Sequence, residues 1–378
     1  MKILLINGVK SKGSTGNIVI SLFNAYKNIG HDVYLIYGRG PKSIEDNVYK
    51  PTLELESKLH HTLSLFTGNM YGGMHISTRR IINRIKKINP DVIHLHCLNG
   101  YFVNIYQLIS WLKKQPYKVI LTHHADFMLS ANCGYTEECD NWKACGCKNC
   151  KHVKEFNGRY SLNRTHTFYK KMYKAFKDYP KDKLVLTGVS PWLSSRIKES
   201  PIYNGYRVET VLNPVDDYFL EELDIRKNDK QILYVTPDFY DQTKSGHYLI
   251  DIANRLPNYH FILVTAKEQY VDVPNNIEVI YHPSKEKLRE LYHSSICTLI
   301  LSKRETFSMV ALESVACKTP VLGFKNGGTE SWLGENGFAA YGDVDALINK
   351  ISNLSTGCDI DKQQFSRIEI AKDYLKLY

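Results

Sequence analysis

The chain has 378 residues, 43% hydrophobic and 23% charged, with nine cysteines and a net charge of +10. That length exceeds what one hydrophobic core ordinarily serves and predicts two domains. The composition excludes a disordered or collagenous chain, and no stretch reaches the ~18 apolar residues of a membrane span.

Lys2–Ile6 reads as a buried strand, followed by a loop carrying Gly8, Gly13 and Gly16. A helical pattern through Ile18, Leu22, Phe23 and Tyr26 then ends at Gly30, and His31–Tyr37 is the next strand. This βαβ unit predicts a parallel sheet, which Val92–Leu95, Val119–Leu121 and Leu184–Thr187 extend. Ile3–Ile6 is too short for the apolar core of a secretory leader. Cysteines without a leader predict a reducing, cytoplasmic setting rather than a disulfide framework.

Cys133, Cys139, Cys145, Cys147 and Cys150 follow in close succession. The spacing of Cys133, Cys139, Cys147 and Cys150 suits four thiolates around a structural Zn²⁺, with Cys145 spare or in place of Cys147; free thiols, or a disulfide formed on oxidation, are the other readings. Charge is uneven here. Residues 1–200 carry 30 Lys+Arg against 14 Asp+Glu, and the remainder 19 against 25. Trp142–Lys183 alone has 12 basic and three acidic residues, with Phe168, Tyr169, Tyr173 and Phe176 among the lysines. Segment 142–183 is therefore a candidate for peripheral contact with anionic lipid, or a core helix with a charged outer face.

After about Ser200 the pattern restarts. Arg207–Leu212, Gln231–Val235, His260–Val264, Ile277–Ile280, Cys297–Leu301 and Pro320–Gly323 read as strands with helical intervals, and Phe365–Tyr378 as a final helix. The predicted fold class is α/β, with two Rossmann-like domains facing each other across a cleft. Residues 1–205, completed by helix 363–378, form the first domain, and residues 206–362 the second. Ligands are expected at the carboxyl ends of the strands.

The sharpest signal is Ser302-Lys-Arg-Glu305-Thr-Phe-Ser-Met-Val-Ala-Leu-Glu313. Read as a strand end running into a helix that opens at Thr306, it separates the two carboxylates by about 12 Å, the span from ribose to sugar in a nucleotide sugar. Thr306, Phe307 and Ser308 would then offer free N–H groups to a diphosphate.

Glu305 to Glu313, followed by Ala316-Cys-Lys-Thr-Pro-Val-Leu-Gly323 and Gly327-Gly-Thr-Glu330, resembles the signature of retaining glycosyltransferase family 4, of GT-B fold. Gly13-Ser-Thr-Gly16, Pro90-Asp-Val-Ile-His-Leu-His96, Thr122-His-His124, Gly188-Val-Ser-Pro-Trp192 and Leu212-Asn-Pro-Val-Asp216 extend the likeness over nearly the whole chain. The resemblance implies that Glu305 contacts the donor sugar and Glu313 the ribose, and that Lys244 faces the diphosphate. It places Gly16 by the donor and His96 and Asp126 on the acceptor side, and makes His124 a catalytic residue that reaches the donor sugar or the acceptor, beside Glu305 and Lys244.

One departure stands out: where the family carries an arginine shortly before the lysine, this chain has Thr236-Pro-Asp238, with Lys303 and Arg304 the nearest cations along the sequence. The subgroup most similar makes exopolysaccharide or lipopolysaccharide of the colanic-acid type. The implied partners are a UDP- or GDP-sugar donor and a glycan or lipid-linked acceptor, with no nucleic acid and no catalytic cofactor. Two rivals are an epimerase on the same fold and a zinc-containing nucleic-acid-binding protein; the latter leaves Glu305 and Glu313 without a role.

Overall fold

The computed structural model describes all residues except 131–132, 137–138, 158–159, 270–271 and 355–359, and the side chains of 156–157. It divides into two compact units, Met1–Leu212 with Ile370–Tyr378, and Asn213–Glu369.

Among its described residues the first unit holds seven strands: β1 (Lys2–Val9), β2 (Asp32–Arg39), β3 (Val48–Tyr49), β4 (Val92–Leu95), β5 (Lys118–His123), β6 (Leu184–Gly188) and β7 (Arg207–Thr210). They form one sheet in the order β3-β2-β1-β4-β5-β6-β7, every pair parallel. Helices covering both faces explain why the central strands are continuous apolar runs, as with Ile3–Ile6 of β1, which have no exposed surface. Each such side chain contributes about 1.5–3 kcal/mol by leaving water.

Helix α1 (Gly13–Asn28) buries Ile18, Val19, Leu22, Phe23 and Tyr26. Gly30, at φ 95°, supplies the left-handed residue that turns the chain into β2. Helices α2 (Glu54–Thr67), α3 (His75–Ile88) and α4 (Ile105–Leu112) follow. The aromatic face of helix Thr165–Phe176 is core: Phe168, Tyr169, Met172 and Phe176 are buried, whereas Lys170, Lys171 and Lys174 point outward. Of the two sequence readings of this helix, packing favours the core one.

The second unit holds β8 (Asn228–Thr236), β9 (His260–Thr265), β10 (Ile277–Tyr281), β11 (Ser295–Ile300), β12 (Val321–Phe324) and β13 (Phe338–Ala339). Their order is β10-β9-β8-β11-β12-β13, again all parallel. The two parallel sheets match the expected α/β class with two Rossmann-like domains. One strand sits elsewhere than its place in the sequence suggests. Arg207–Thr210 pairs with β6, so the first unit extends to Leu212, beyond residue 205.

The last helix, Arg367–Leu375, brings Tyr374 against β4 and β5 of the first unit. Its ring lies 4.5 Å from that of His94, and its hydroxyl 3.3 Å from Thr122 Oγ1. Among the described residues no helix is long and apolar enough to cross a membrane.

Candidate active site

The second unit assembles its site at the carboxyl ends of its two central strands. β8 leads into a turn in which Thr243 N–H and Oγ1 both donate to Asp241 Oδ1, and Tyr234 Oη donates to the carbonyl of Lys244. β11 leads into Leu301–Arg304, where Lys303 N–H donates to Thr243 O at 2.9 Å. That backbone bond joins the two loops. It sets Lys244 Nζ 2.6 Å from Glu305 Oε1, with both side chains mostly shielded.

Glu305 is not on a helix. It forms a parallel bridge with Gly327, donating its N–H to Asn326 O while its carbonyl accepts from Gly328 N–H at 2.9 Å. Glu330 closes the loop by accepting from the N–H groups of Asn326 and Gly327. Gly328 has a steric reason to be glycine: a Cβ there would come within 2.3–2.5 Å of the Glu305 and Thr306 backbone. These contacts give the Gly-Gly-Thr-Glu motif its physical meaning, since it clamps the segment bearing Glu305.

The helix after it is Met309–Ala316, opening three residues beyond Thr306. Ser308 is its N-cap, with Oγ accepting from Ala311 N–H, and its φ of 71° reverses the chain. A helical rise across all of Glu305–Glu313 therefore does not hold, because the first part is clamped loop. Phe307 is buried, its ring stacked on Trp332 at 4.9 Å, and its carbonyl accepts from Trp332 Nε1. The Phe307 side chain thus braces the loop against Trp332.

Glu313 projects from this helix, half-buried, and accepts from Tyr292 Oη at 3.0 Å. Burial raises its carboxyl to about 7, against the opposing pull of the Tyr292 hydrogen bond and of Lys285. Lys285 in turn pairs with Asp216. Sequence reasoning missed Tyr292, which lies in an ordinary amphipathic helix, Lys285–Ser294, and carries no local mark. At the end of β8, where the arginine is missing, Asp238 is committed to Lys267 at 2.8 Å and to Gln269.

The first unit gathers histidines at the ends of β4 and β5. Strand alternation sends His123 one way, to Tyr203 Oη at 3.2 Å, and His124 the other, with Nε2 3.1 Å from His96 Nδ1. His94 Nε2 sits 2.7 Å from Thr122 Oγ1. Burial, reinforced by neighbouring histidines, lowers His94 and His124 to about 3 and His96 well below its usual value. All three are neutral imidazoles at neutral pH. His96 Nε2 meets no hydrogen-bond partner among the described residues.

Gly16 and Asp126 have contacts within the chain itself. Gly16 lies inside α1, and what a Cβ would crowd at 3.1–3.2 Å is the backbone of Ser11, so its smallness serves the chain itself. Asp126 is fully buried and held by a bidentate pair with Arg196 at 3.0–3.1 Å, while Thr136 N–H and Oγ1 donate to it. Its carboxylate anchors Thr136 and Arg196.

Cys133, Cys139, Cys147 and Cys150 line one cavity of about 390 Å³ together with His152 and Glu155. Cys133 and Cys150 are hydrogen-bonded to each other, which lowers Cys150 to about 6 and raises Cys133. No three His, Cys, Asp or Glu donors among the described residues stand in a metal-ligating arrangement.

Residues 15–217 match the family model described as Glycosyltransferase Family 4, and residues 229–356 that described as Glycosyl transferases group 1. WcaC of Escherichia coli (strain K12), named for a glycosyl transfer in colanic acid biosynthesis, is 19% identical over 92% of this chain and 89% of its own. Sucrose-phosphate synthase from Thermosynechococcus elongatus aligns with a TM-score of 0.67 at 15% identity, covering 100% of this chain and 98% of that one. HepE of Anabaena, solved in complex with UDP-glucose, aligns at 0.57 and 14% identity, covering 100% and 95%. At such identities the structural likenesses establish the fold, which is GT-B. With more than half of its length matched by the family model, the chain belongs to glycosyltransferase family 4 and is a nucleotide-sugar-dependent glycosyltransferase.

Proposed function

We propose that this enzyme moves a sugar from a nucleoside diphosphate sugar, of UDP or GDP, to a glycan or lipid-linked oligosaccharide acceptor. The anomeric configuration is retained, and the product enters a cell-surface polysaccharide. The reading rests chiefly on Lys244 and Glu305, paired at the carboxyl ends of adjacent strands with Glu313 on the following helix. WcaC supports the polysaccharide context, and the UDP-glucose bound to HepE supports the donor class.

As the bond from anomeric carbon to phosphate breaks, negative charge gathers on the leaving diphosphate. The Lys244 ammonium stabilises it, and so do the N–H groups of the Thr306–Ser308 loop. Glu305 orients the sugar hydroxyls and Glu313 accepts from the ribose diol. His96 and His124, as neutral imidazoles, serve the acceptor side by hydrogen bonding rather than by charge. The leaving phosphate oxygen takes the acceptor proton on the same face, so neither a protein base nor a metal is required.

We place the reaction at the cytoplasmic face of the membrane, where the lysines of segment 142–183 add electrostatic attraction. A structural Zn²⁺ on Cys133, Cys139, Cys147 and Cys150 stays a proposal on the strength of their shared cavity. Less than about a tenth of an equivalent in freshly purified protein rejects it.

The deciding experiment is a thermal-shift screen of UDP, GDP, ADP and their sugars, followed by NMR of the product's anomeric proton. Stabilisation by one nucleotide sugar and a retained linkage are expected. Free sugar epimerised without any acceptor would favour the epimerase reading, and inversion would overturn the mechanism.

A further inference from the structure

Helix α2 is inside out. Its buried positions are Ser57, His60 and Ser64, while Leu55, Leu59, Leu63 and Phe66 are 81%, 60%, 52% and 53% exposed. At 3.6 residues per turn those four fall within an arc of about 80°, a continuous apolar stripe directed at solvent. The inner face is fastened by polar contacts: Ser57 Oγ donates to Tyr101 O at 2.6 Å, Ser64 Oγ to Tyr101 Oη at 3.2 Å, and His60 Nε2 lies 3.2 Å from Met70 O. A helix held by hydroxyls, with its leucines outward, owes its position to the fold and leaves its apolar face for another partner.

The patch extends beyond α2. Tyr160, exposed, stacks on Phe66 at 6.5 Å, and Leu162, also exposed, donates its N–H to Phe66 O. Ile76, exposed at the start of α3, follows the Glu56 carboxylate that accepts its N–H. Clustered exposed apolar surface of this kind marks an interaction site.

Charge identifies the partner. Residues 54–88 carry six Lys+Arg against two Asp+Glu. Both acids already have partners: Glu54 pairs with Lys50 and Arg39, and Glu56 accepts from the N–H groups of Ile76 and Ser77 at the start of α3. The exposed charged residues of this stretch are cations: Lys58 on α2 itself, and Arg79, Arg80, Lys86 and Lys87 on α3. Patches shared between protein copies are self-complementary, whereas this one offers cations and hydrocarbon and no available anion. Hydrocarbon ringed by cations fits the interface of an anionic bilayer, with leucines at the acyl boundary and ammonium and guanidinium groups among phosphates.

We infer that the outer face of α2, with the start of α3 and the Tyr160–Leu162 segment, is a membrane-docking surface that lays α2 in the headgroup region of a bilayer rich in anionic phospholipid. The surface lies within the first unit and stands whether or not the proposed donor chemistry is right.

The test is sedimentation of the full chain with phosphatidylcholine vesicles, with or without about 30 mol% phosphatidylglycerol. Wild type is expected to pellet with the anionic vesicles, less so as salt rises. The triple variant Leu59→Ser, Leu63→Ser, Phe66→Ser is expected to lose at least about tenfold in partitioning while keeping its melting temperature, because the replaced side chains face water. Arg79→Glu with Arg80→Glu should weaken binding to anionic vesicles only. Hydrogen exchange on the wild type, which needs no variant, should show residues 54–67 protected by the same vesicles.

Wild type left in the supernatant, a triple variant that binds normally, or unprotected residues 54–67 overturns the proposal. So does a wild-type dimer that the triple variant dissolves without any vesicle binding, which would assign the face to a second copy.

Discussion

Lys244 Nζ and Glu305 Oε1 stand 2.6 Å apart across 61 residues of sequence, joined because the loops after β8 and β11 share the Lys303–Thr243 backbone bond. The pair holds the ammonium fixed and partly desolvated, as the proposed role of Lys244 at the leaving diphosphate requires. Preorganisation of that kind is what makes a charged donor effective against charge developing in a transition state.

Lys244→Ala is expected to lower turnover by about 10²- to 10³-fold with a smaller change in donor affinity. Glu305→Gln should also lower turnover, and the double variant should fall short of the product of the two effects, since each single change already breaks the pair. Steady-state kinetics of the four proteins check this, and near-normal turnover in Lys244→Ala removes the assigned role.

Glu313 couples stability to pH. Its folded carboxyl, near 7, lies above the ordinary 4.5 because burial disfavours the anion. Its contribution is therefore complete below about pH 4.5 and is lost as pH rises through 7. Between pH 5 and 8 the wild type should lose up to about 3 kcal/mol relative to Glu313→Gln, at 1.36 kcal/mol per unit. Urea unfolding at both pH values measures it, and parallel profiles for the two proteins refute it. Donor binding should show the opposite trend, strengthening as the carboxylate forms.

Gly328→Ala should cost about 1–3 kcal/mol, the range for overpacking, since its Cβ would overlap backbone atoms that cannot swing away. Loss of activity should exceed loss of stability, because the displaced atoms belong to Glu305 and Thr306. Calorimetry beside a transfer assay separates the two effects.

Asp126→Ala should destabilise the first unit by about 3–5 kcal/mol, as expected when one partner of a buried pair is removed and Arg196 is left uncompensated. Nucleotide affinity of the protein that remains folded should be unchanged. A selective rise in acceptor KM without loss of stability would instead return Asp126 to the acceptor side.

In protein stripped of any metal, Cys150, lowered by the hydrogen bond it shares with Cys133, should be alkylated by iodoacetamide at pH 7 faster than Cys97, Cys297 or Cys317, which burial pushes up to about 12. Cys133→Ala should slow it. Peptide mass spectrometry reads both rates, and equal labelling of all cysteines would dismiss the thiol pair.

The sheet strands were legible because burial on both faces writes itself locally, as in Ile3–Ile6 or Cys297–Leu301. Lys244, Glu305 and Glu313 stood out for the short motifs they occupy, and the fold brings Lys244 and Glu305 together. Helix Thr165–Phe176 was ambiguous for a physical reason: the same 3.6-residue period serves a core face and a lipid-facing one, and only the partner across the interface distinguishes them.

What the linear order of residues determined by itself was two parallel α/β units, with a candidate site motif following β11, since periodicity and turn residues act over a few positions. Tertiary packing alone decided that Arg207–Thr210 joins the first sheet, that Glu305 sits in a clamped loop ahead of the Met309 helix, that Asp126 answers Arg196, and that α2 turns its leucines outward. Each of these depends on a contact partner many residues away, and hydrogen bonding and burial between distant segments leave no local period to read.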